Sequence, residues 1–218
     1  LCFALQGAFG ALLIFHYVGK KAEAAVGSLL FVVAPIMLSQ MTVNMSLGAQ
    51  WLILGCLYLG LCRTRMKDVR FVVCWGAAGL LAAGIQLYFI PICGLVLISF
   101  FLADLVRRTR MARGLLAIAS YGICSVGTVA LLGGFSHNHI PDFTALGQSG
   151  FNLNGLFNTQ GWSQVLEALP VYGDNAEEGL AFPGTGILLT LAAGLIGWFF
   201  HLAYRLFVRR ENIFANMG

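Results

Sequence analysis

Charge is what this sequence has least of. Only 10% of its 218 residues are Asp, Glu, Lys or Arg, while 59% are apolar. A soluble domain carries charge on about a quarter of its residues, so that class is excluded. A β-barrel would alternate apolar and polar residues along each strand; 27 glycines and scattered aromatics fit packed membrane helices better. There is no GxGxxG or P-loop context for a nucleotide. Nothing here looks like a secretory signal followed by a mature domain, because apolar segments continue to the end. The six cysteines, Cys2, Cys56, Cys62, Cys74, Cys93 and Cys124, include no pair at metal-ligand spacing. All lie in or beside apolar runs, where cysteine acts as a small hydrophobe. The chain opens at Leu1, already inside an apolar run, and is expected to be an internal piece of a larger protein.

What is present is a series of apolar segments. Seven are expected to cross the membrane, at 1–18, 22–40, 46–62, 70–88, 90–106, 114–133 and 184–204, most of them near the ~20 residues that a ~30 Å hydrocarbon core requires. The pair between Arg70 and Arg107 could be read as one kinked helix, but ~36 residues is far too long for one crossing. A turn is expected in "QLYFIPIC", where Gln86, Tyr88 and Pro91 interrupt the apolar run. The fold class is therefore all-α, a polytopic bundle of about seven spans. Its parts are residues 1–133 with the first six spans, 134–183 as a long external loop, 184–204 as the seventh span, and 205–218 as a tail.

Charge sets the orientation. All 13 Lys and Arg residues fall in four clusters: Lys20 and Lys21; "RTRMKDVR" from Arg63 to Arg70; "RRTRMAR" from Arg107 to Arg113; and Arg205, Arg209 and Arg210. Two spans separate each cluster from the next, as required if every cluster stays in the cytoplasm. The first residue is then outside and the last inside. Topology accounts for the basic residues and for the pI near 8.8, so no nucleic-acid partner is implied. No Asp, Glu, Lys or Arg falls mid-span, which argues against an ion-driven pump or a voltage sensor. The polar side chains in or beside spans are chiefly Gln6, His16, Gln40, Gln50 and Gln86, and Gln86 is the best placed to line a pocket opening outward.

Residues 134–183 hold Asp142, Glu167, Asp174, Glu177 and Glu178 but no Lys or Arg. A connection this long is expected to be folded or functional. "TQGWSQVLEALPVYG" has the pattern of a short interfacial helix from Ser163 to Leu169, turning Trp162, Val165, Leu166 and Leu169 toward the membrane or a neighbouring span. His137, His139 and Asp142 form the one His/Asp cluster. With no third strong ligand at a recognisable spacing, His137 and Asp142 are candidates for a polar substrate or phosphate rather than for zinc. Asn152 and Asn154, in "GFNLNG", either turn the chain or offer amides to a sugar. Glu177 and Glu178 precede "GLAFPGTG" at the entry to the last span. They either favour its N-terminus electrostatically or, for Glu178, hold a divalent cation or a substrate hydroxyl.

Three stretches carry a resemblance: "LCFALQGAFGALL" (Leu1 to Leu13), "GFNLNGLFN" (Gly150 to Asn158) and "EEGLAFPGTGILL" (Glu177 to Leu189). In this order, with a long acidic external loop, they resemble a bacterial family of multi-spanning proteins of unassigned function. That family is similar in organisation to the membrane-embedded C-type glycosyltransferases, which use polyprenyl-phosphate-linked sugars. The resemblance implies a C-type architecture and an enzyme that moves a sugar from a polyprenyl-phosphate donor to a cell-envelope glycan or lipid. The leaving group is a phosphate, so no nucleotide site is needed. It also implies a catalytic base in a first external loop, ahead of Leu1, leaving Gln86, His137, Asp142, Asn152, Asn154 and Glu178 as substrate-binding candidates. Asp142 or Glu178 could hold Mg or Mn. Membrane lipid and envelope-polymer assembly proteins are the implied partners. Two other functions fit the same sequence: a non-catalytic scaffold of an envelope-polymer complex, and a transporter or flippase of envelope lipids.

Overall fold

The computed structural model describes residues 1–43, 46–135, 153–159, 161, 163–170 and 182–207. The elements are α1 (Cys2–Val18), α2 (Lys21–Val32), α3 (Pro35–Val43), α4 (Trp51–Leu61), α5 (Asp68–Ile85), α6 (Phe89–Val106), α7 (Met111–Leu131) and α8 (Thr185–Phe207), with 3₁₀ turns at Cys62–Thr64 and Leu153–Leu156. No strand occurs among the described residues. The chain divides into two compact units, Leu1–Asp142 and Phe143–Gly218.

In the first unit the sequence punctuates each helix. α1 stops at Gly19, whose φ of 73° is left-handed and whose N–H returns to Phe15 O at 2.9 Å. The segment expected as one span over 22–40 is two helices. Pro35 lacks the N–H that would continue α2 and biases Ala34 away from helical angles, so the chain bends at Val33–Ala34 and restarts with Pro35 as the first residue of α3. α4 begins at Trp51, after a turn at 46–48, rather than at residue 46. The expected turn between the fourth and fifth segments falls at Gln86–Tyr88. Pro91 lies in the first turn of α6, where a missing N–H leaves no bond unmade.

α4 to α7 form the core. Trp75 is fully buried, with its ring edge-on to Phe71 and Tyr121 at centroid distances of 6.2 Å each, among Leu52, Cys56, Ala78, Ala82, Cys93, Leu97 and Ala117. Small residues on "WGAAGLLAAG" of α5 let the α7 backbone come close. A Cβ on Gly79 would lie 2.5 Å from Tyr121 O, and Ser125 Oγ donates to Gly79 O at 3.2 Å. Gly60 of α4 likewise receives the Phe100 ring of α6. α5 runs parallel to α7, and α4 to α6, the two pairs being opposed. The C-terminal ends of α4 and α6 therefore meet the N-terminal ends of α5 and α7.

The outward faces of these helices are apolar. Val69, Leu95, Leu116 and Ile123 are all well exposed, an arrangement that suits lipid and not water. Among the described residues four helices are long and apolar enough to cross a membrane, at Asp68–Ile85, Phe89–Val106, Met111–Leu131 and Thr185–Tyr204, and Cys2–Val18 and Trp51–Thr64 are shorter apolar segments. In the second unit α8 is long and predominantly apolar, as a spanning helix is.

Candidate functional site

The polar chemistry of the first unit is concentrated where four helix ends meet. Arg63, just past α4, donates from Nε to Asp104 Oδ1 at 2.9 Å and from Nη1 to Gly60 O at 3.2 Å. Arg113, in the first turn of α7, donates from Nη1 to Arg63 O at 2.8 Å. Its Nη2 lies 3.6 Å from Asp104 Oδ2 and its Nη1 3.4 Å from Asp68 Oδ1, and Arg110 Nη1 approaches the same Asp68 oxygen at 3.7 Å. The Arg63 guanidinium also lies 5.0 Å from the Phe100 ring centre, and that of Arg113 4.6 Å from Phe71. Charges alternate along the chain Arg63–Asp104–Arg113–Asp68–Arg110, and only a planar, forked guanidinium bridges several partners in this way. The Arg113 side chain is 3% exposed, and those of Asp104 and Arg63 are 12% exposed. Each carboxylate is held between cations, so the cluster is suited to clamping helices together rather than to moving a proton.

An apolar groove follows α4 and α5. It encloses about 400 Å³ between Phe9, Trp51, Tyr58, Met66, Ala77 and Leu81, with Arg70 the one charged residue of its lining. Phe9 stacks on Trp51 at one wall, with centroids 6.1 Å apart and planes 10° apart. Gln86 is not part of it.

Gln86 caps α5 in extended conformation. Its N–H donates to Ala82 O at 3.2 Å, and its carbonyl accepts from Phe89 N at 3.0 Å. The side chain is half-buried and its amide has no partner among the described residues. Because Ser125 pairs with Gly79 on parallel helices, seven residues further on places Gln86 level with Leu132. The turn at Gln86–Tyr88 and the exit of α7 thus share the end remote from the Arg63–Asp104–Arg113 cluster. Of the other polar residues within spans, Gln6 is buried with no hydrogen-bond partner for Oε1 among the described residues, and His16 stands edge-on to Tyr17.

In the second unit the expected helix from Ser163 to Leu169 is absent: residues 164–166 bend and 167–170 are irregular. Side chains outcompete the helical bonds. Ser163 Oγ accepts from the Val165 and Leu166 N–H groups at 3.2 and 3.1 Å, and it pairs with Thr185 Oγ1 at 2.9 Å. Asn158 clamps Leu169 from both sides, Nδ2 donating to its carbonyl and Oδ1 accepting from its N–H, each at 2.9 Å. Thr159 Oγ1 donates to Leu166 O at 3.3 Å, and Asn158 and Thr159 are both buried. Asn158 was the asparagine of "GFNLNGLFN" that sequence reasoning passed over. Nothing in its local pattern distinguishes a buried clamp from an exposed turn residue. Asn154 falls in the 3₁₀ turn Leu153–Leu156. His137, Asp142, Asn152 and Glu178 lie outside the described residues, as does Trp162. Among the described residues no group of three or more His, Cys, Asp or Glu side chains could hold a metal ion.

The family model for a Domain of unknown function (DUF6311) matches residues 1–216, nearly the whole chain. The chain belongs to this family. With its long apolar helices and lipid-facing surfaces it is a multi-pass membrane protein whose function is not established. No curated protein and no solved structure matches it. This DUF6311 match carries no specific similarity to C-type glycosyltransferases.

Proposed function

We propose that this chain is the membrane-embedded part of a glycosyltransferase that takes a sugar from a polyprenyl-phosphate donor and passes it to an envelope glycan or lipid. The observation that carries the proposal is the segregation of the two ends of the first unit. The basic junctions at Arg63–Arg70 and Arg107–Arg113 meet at one end, which the positive-inside rule assigns to the cytoplasm of a bacterial inner membrane. Gln86 and the exit of α7 share the other end, and from there the chain enters 134–183, which bears five carboxylates and no cation. A lipid-linked sugar is met at such an external face. Gln86, His137, Asp142, Asn152, Asn154 and Glu178 are proposed to contact the sugar or acceptor, and no residue of 1–218 is assigned as the base. A donor phosphate needs countercharge that 134–183 does not carry. A divalent cation, Mg or Mn, on Asp142 or Glu178 would supply it, as would basic residues elsewhere.

The test is photo-crosslinking of a polyprenyl-phosphate sugar analogue to the protein in membranes, with the adducts mapped. Adducts in 134–183 or beside Gln86 are expected. Adducts that never fall there would remove the glycosyltransferase reading and leave a scaffold of envelope-polymer assembly. Adducts there, with no transfer but with net movement of the lipid between leaflets, would identify a flippase.

A further inference from the structure

We propose that the groove along α4 and α5 is a site for an anionic phospholipid, one acyl chain lying in the groove and the phosphate against Arg70. The headgroup end of the site lies among the basic residues, Gln86 does not line it, and it does not depend on the glycosyltransferase proposal.

The first support is charge. Eight cationic side chains gather at this end (Arg63, Arg65, Lys67, Arg70, Arg107, Arg108, Arg110 and Arg113) against two carboxylates, Asp68 and Asp104. The carboxylates are taken by Arg63, Arg110 and Arg113. Arg70 has no carboxylate within 4.0 Å among the described residues, although Asp68 is two residues away. Of the cations left over, Arg70 alone also lines the groove. Arg70 is exposed and open to an anion from outside the described chain, and anionic headgroups are the anions abundant at a membrane surface.

The second support is shape. From Arg70 to Leu81 on α5, and from Trp51 to Cys62 on α4, the lining rises eleven residues, or ~16 Å at 1.5 Å each, about half of a ~30 Å hydrocarbon core. A groove of this length with an apolar lining admits a hydrocarbon chain. Its lining is almost wholly apolar, so ordered water has no set of partners there. A chain rooted at Arg70 would run beside Ala77 toward Trp51 and Leu81, with its headgroup held where the basic residues meet the interface.

Native mass spectrometry of the full chain, freed of lipid and titrated with phosphatidylglycerol or phosphatidylcholine of matched acyl chains, tests this. The parent is expected to retain phosphatidylglycerol at least fivefold better. Arg70→Gln should abolish that preference, Arg70→Lys should keep most of it, and Arg65→Gln, which removes an equal charge outside the groove, should change it less than twofold. Ala77→Phe fills the groove at an exposed position and should weaken both lipids while Arg70 is intact. Equal losses from Arg65→Gln and Arg70→Gln would overturn the site in favour of diffuse surface attraction. Displacement of phosphatidylglycerol by soluble glycerol phosphate would overturn the acyl-chain half, and a dimer abolished by Ala77→Phe would show the groove to be a protein seat instead. Thermal midpoints measured alongside must match the parent, and Arg70→Lys keeps the test decisive if Arg70→Gln fails to fold.

Discussion

Asp104 and Arg113 sit 3.6 Å apart, each at the end of a helix whose own dipole disfavours it. Asp104 is in the last turn of α6, where the partial charge is negative, and Arg113 is in the first turn of α7, where it is positive. Local helix electrostatics would exchange them. What fixes them is the opposing partner on the next helix, together with Arg63 from the turn after α4 and Asp68 from α5. The cluster thus ties four helix ends together, and it does so where the apolar core of Trp75 and Tyr121 no longer reaches.

Asp104→Asn should be strongly destabilising. It nearly preserves shape but leaves the buried Arg113 and Arg63 without their shared anion, and an uncompensated buried charge costs about 3–5 kcal/mol. Arg110→Gln removes a half-exposed partner of Asp68 and should cost less than about 1 kcal/mol. Asp104→Leu combined with Arg113→Met should lose less than the sum of the two single changes, because Arg113 is then not stranded and only Arg63 lacks its anion. Denaturant unfolding in mixed micelles measures all five variants, the two single changes included, and equal losses for Asp104→Asn and Arg110→Gln would show that the cluster is not a clamp.

How much of this was legible beforehand varies with the kind of signal. The turn at Gln86–Tyr88 was readable because a proline and polar residues interrupt an apolar run too long for one crossing. The bend at Pro35 carried the same signal, yet the residues around it are apolar and hydropathy ran over it. Asp104 was visible as a carboxylate beside Arg107 and Arg108, but its real partners, Arg63 and Arg113, come from other helices. Such pairing is set by packing that no local pattern encodes. The segment 163–170 failed for the opposite reason: its apolar spacing suits a helix, but the Ser163 and Asn158 side chains take the backbone groups a helix would use.

Close helix approach gives a second expectation. Gly79→Ala would put a methyl 2.5 Å from Tyr121 O, a backbone atom that cannot move without shifting α7. Overpacking of this kind costs about 1–3 kcal/mol. Gly84→Ala on the same helix meets nothing within 4 Å and should be neutral or stabilising by up to ~1 kcal/mol, since glycine is a poor helix former. Unfolding midpoints that rank the two the other way would contradict the α5–α7 packing.

Asn158→Ala removes both hydrogen bonds to Leu169, a loss of about 1–3 kcal/mol of local stability. Amide hydrogen exchange at Leu169 reads it directly, and protection there should fall by at least tenfold. Asn154→Ala is the comparison from the same motif and should leave Leu169 exchange unchanged. If both variants exchange like the parent, the clamp does not order this segment.

The proposed topology has its own test. Single cysteines at Ser149 and Thr109, in a chain whose six native cysteines are replaced, should behave oppositely toward a membrane-impermeant thiol reagent in intact cells. Ser149 should label at once, and Thr109, in the exposed turn between α6 and α7, only after the membrane is opened. Equal labelling would refute a model in which the Arg107–Arg113 junction and the 134–183 segment lie on opposite sides.

Glu178 separates the two accounts of "DNAEEGLAFPGTG". α8 begins at Thr185, with Leu188 N–H bonded to Gly184 O at 3.1 Å, so Glu178 precedes the first helical residue by seven positions. Dipole stabilisation fades beyond the first turn, which leaves helix anchoring little for this carboxylate to do. On that account Glu178→Gln changes neither stability nor activity. If Glu178 holds a cation or a sugar hydroxyl, the same change removes charge while nearly keeping shape. Turnover should then fall about tenfold for each 1.4 kcal/mol of transition-state binding lost, at an unchanged unfolding midpoint. Glu177→Gln is the control, because adjacent side chains point in different directions in either a helix or a strand. The assay is sugar transfer by each purified variant across a titration of Mg or Mn. The Glu178 variant is expected to be the slower enzyme and to need more cation. Two variants that match the parent in both respects would reduce the stretch to a connection into α8.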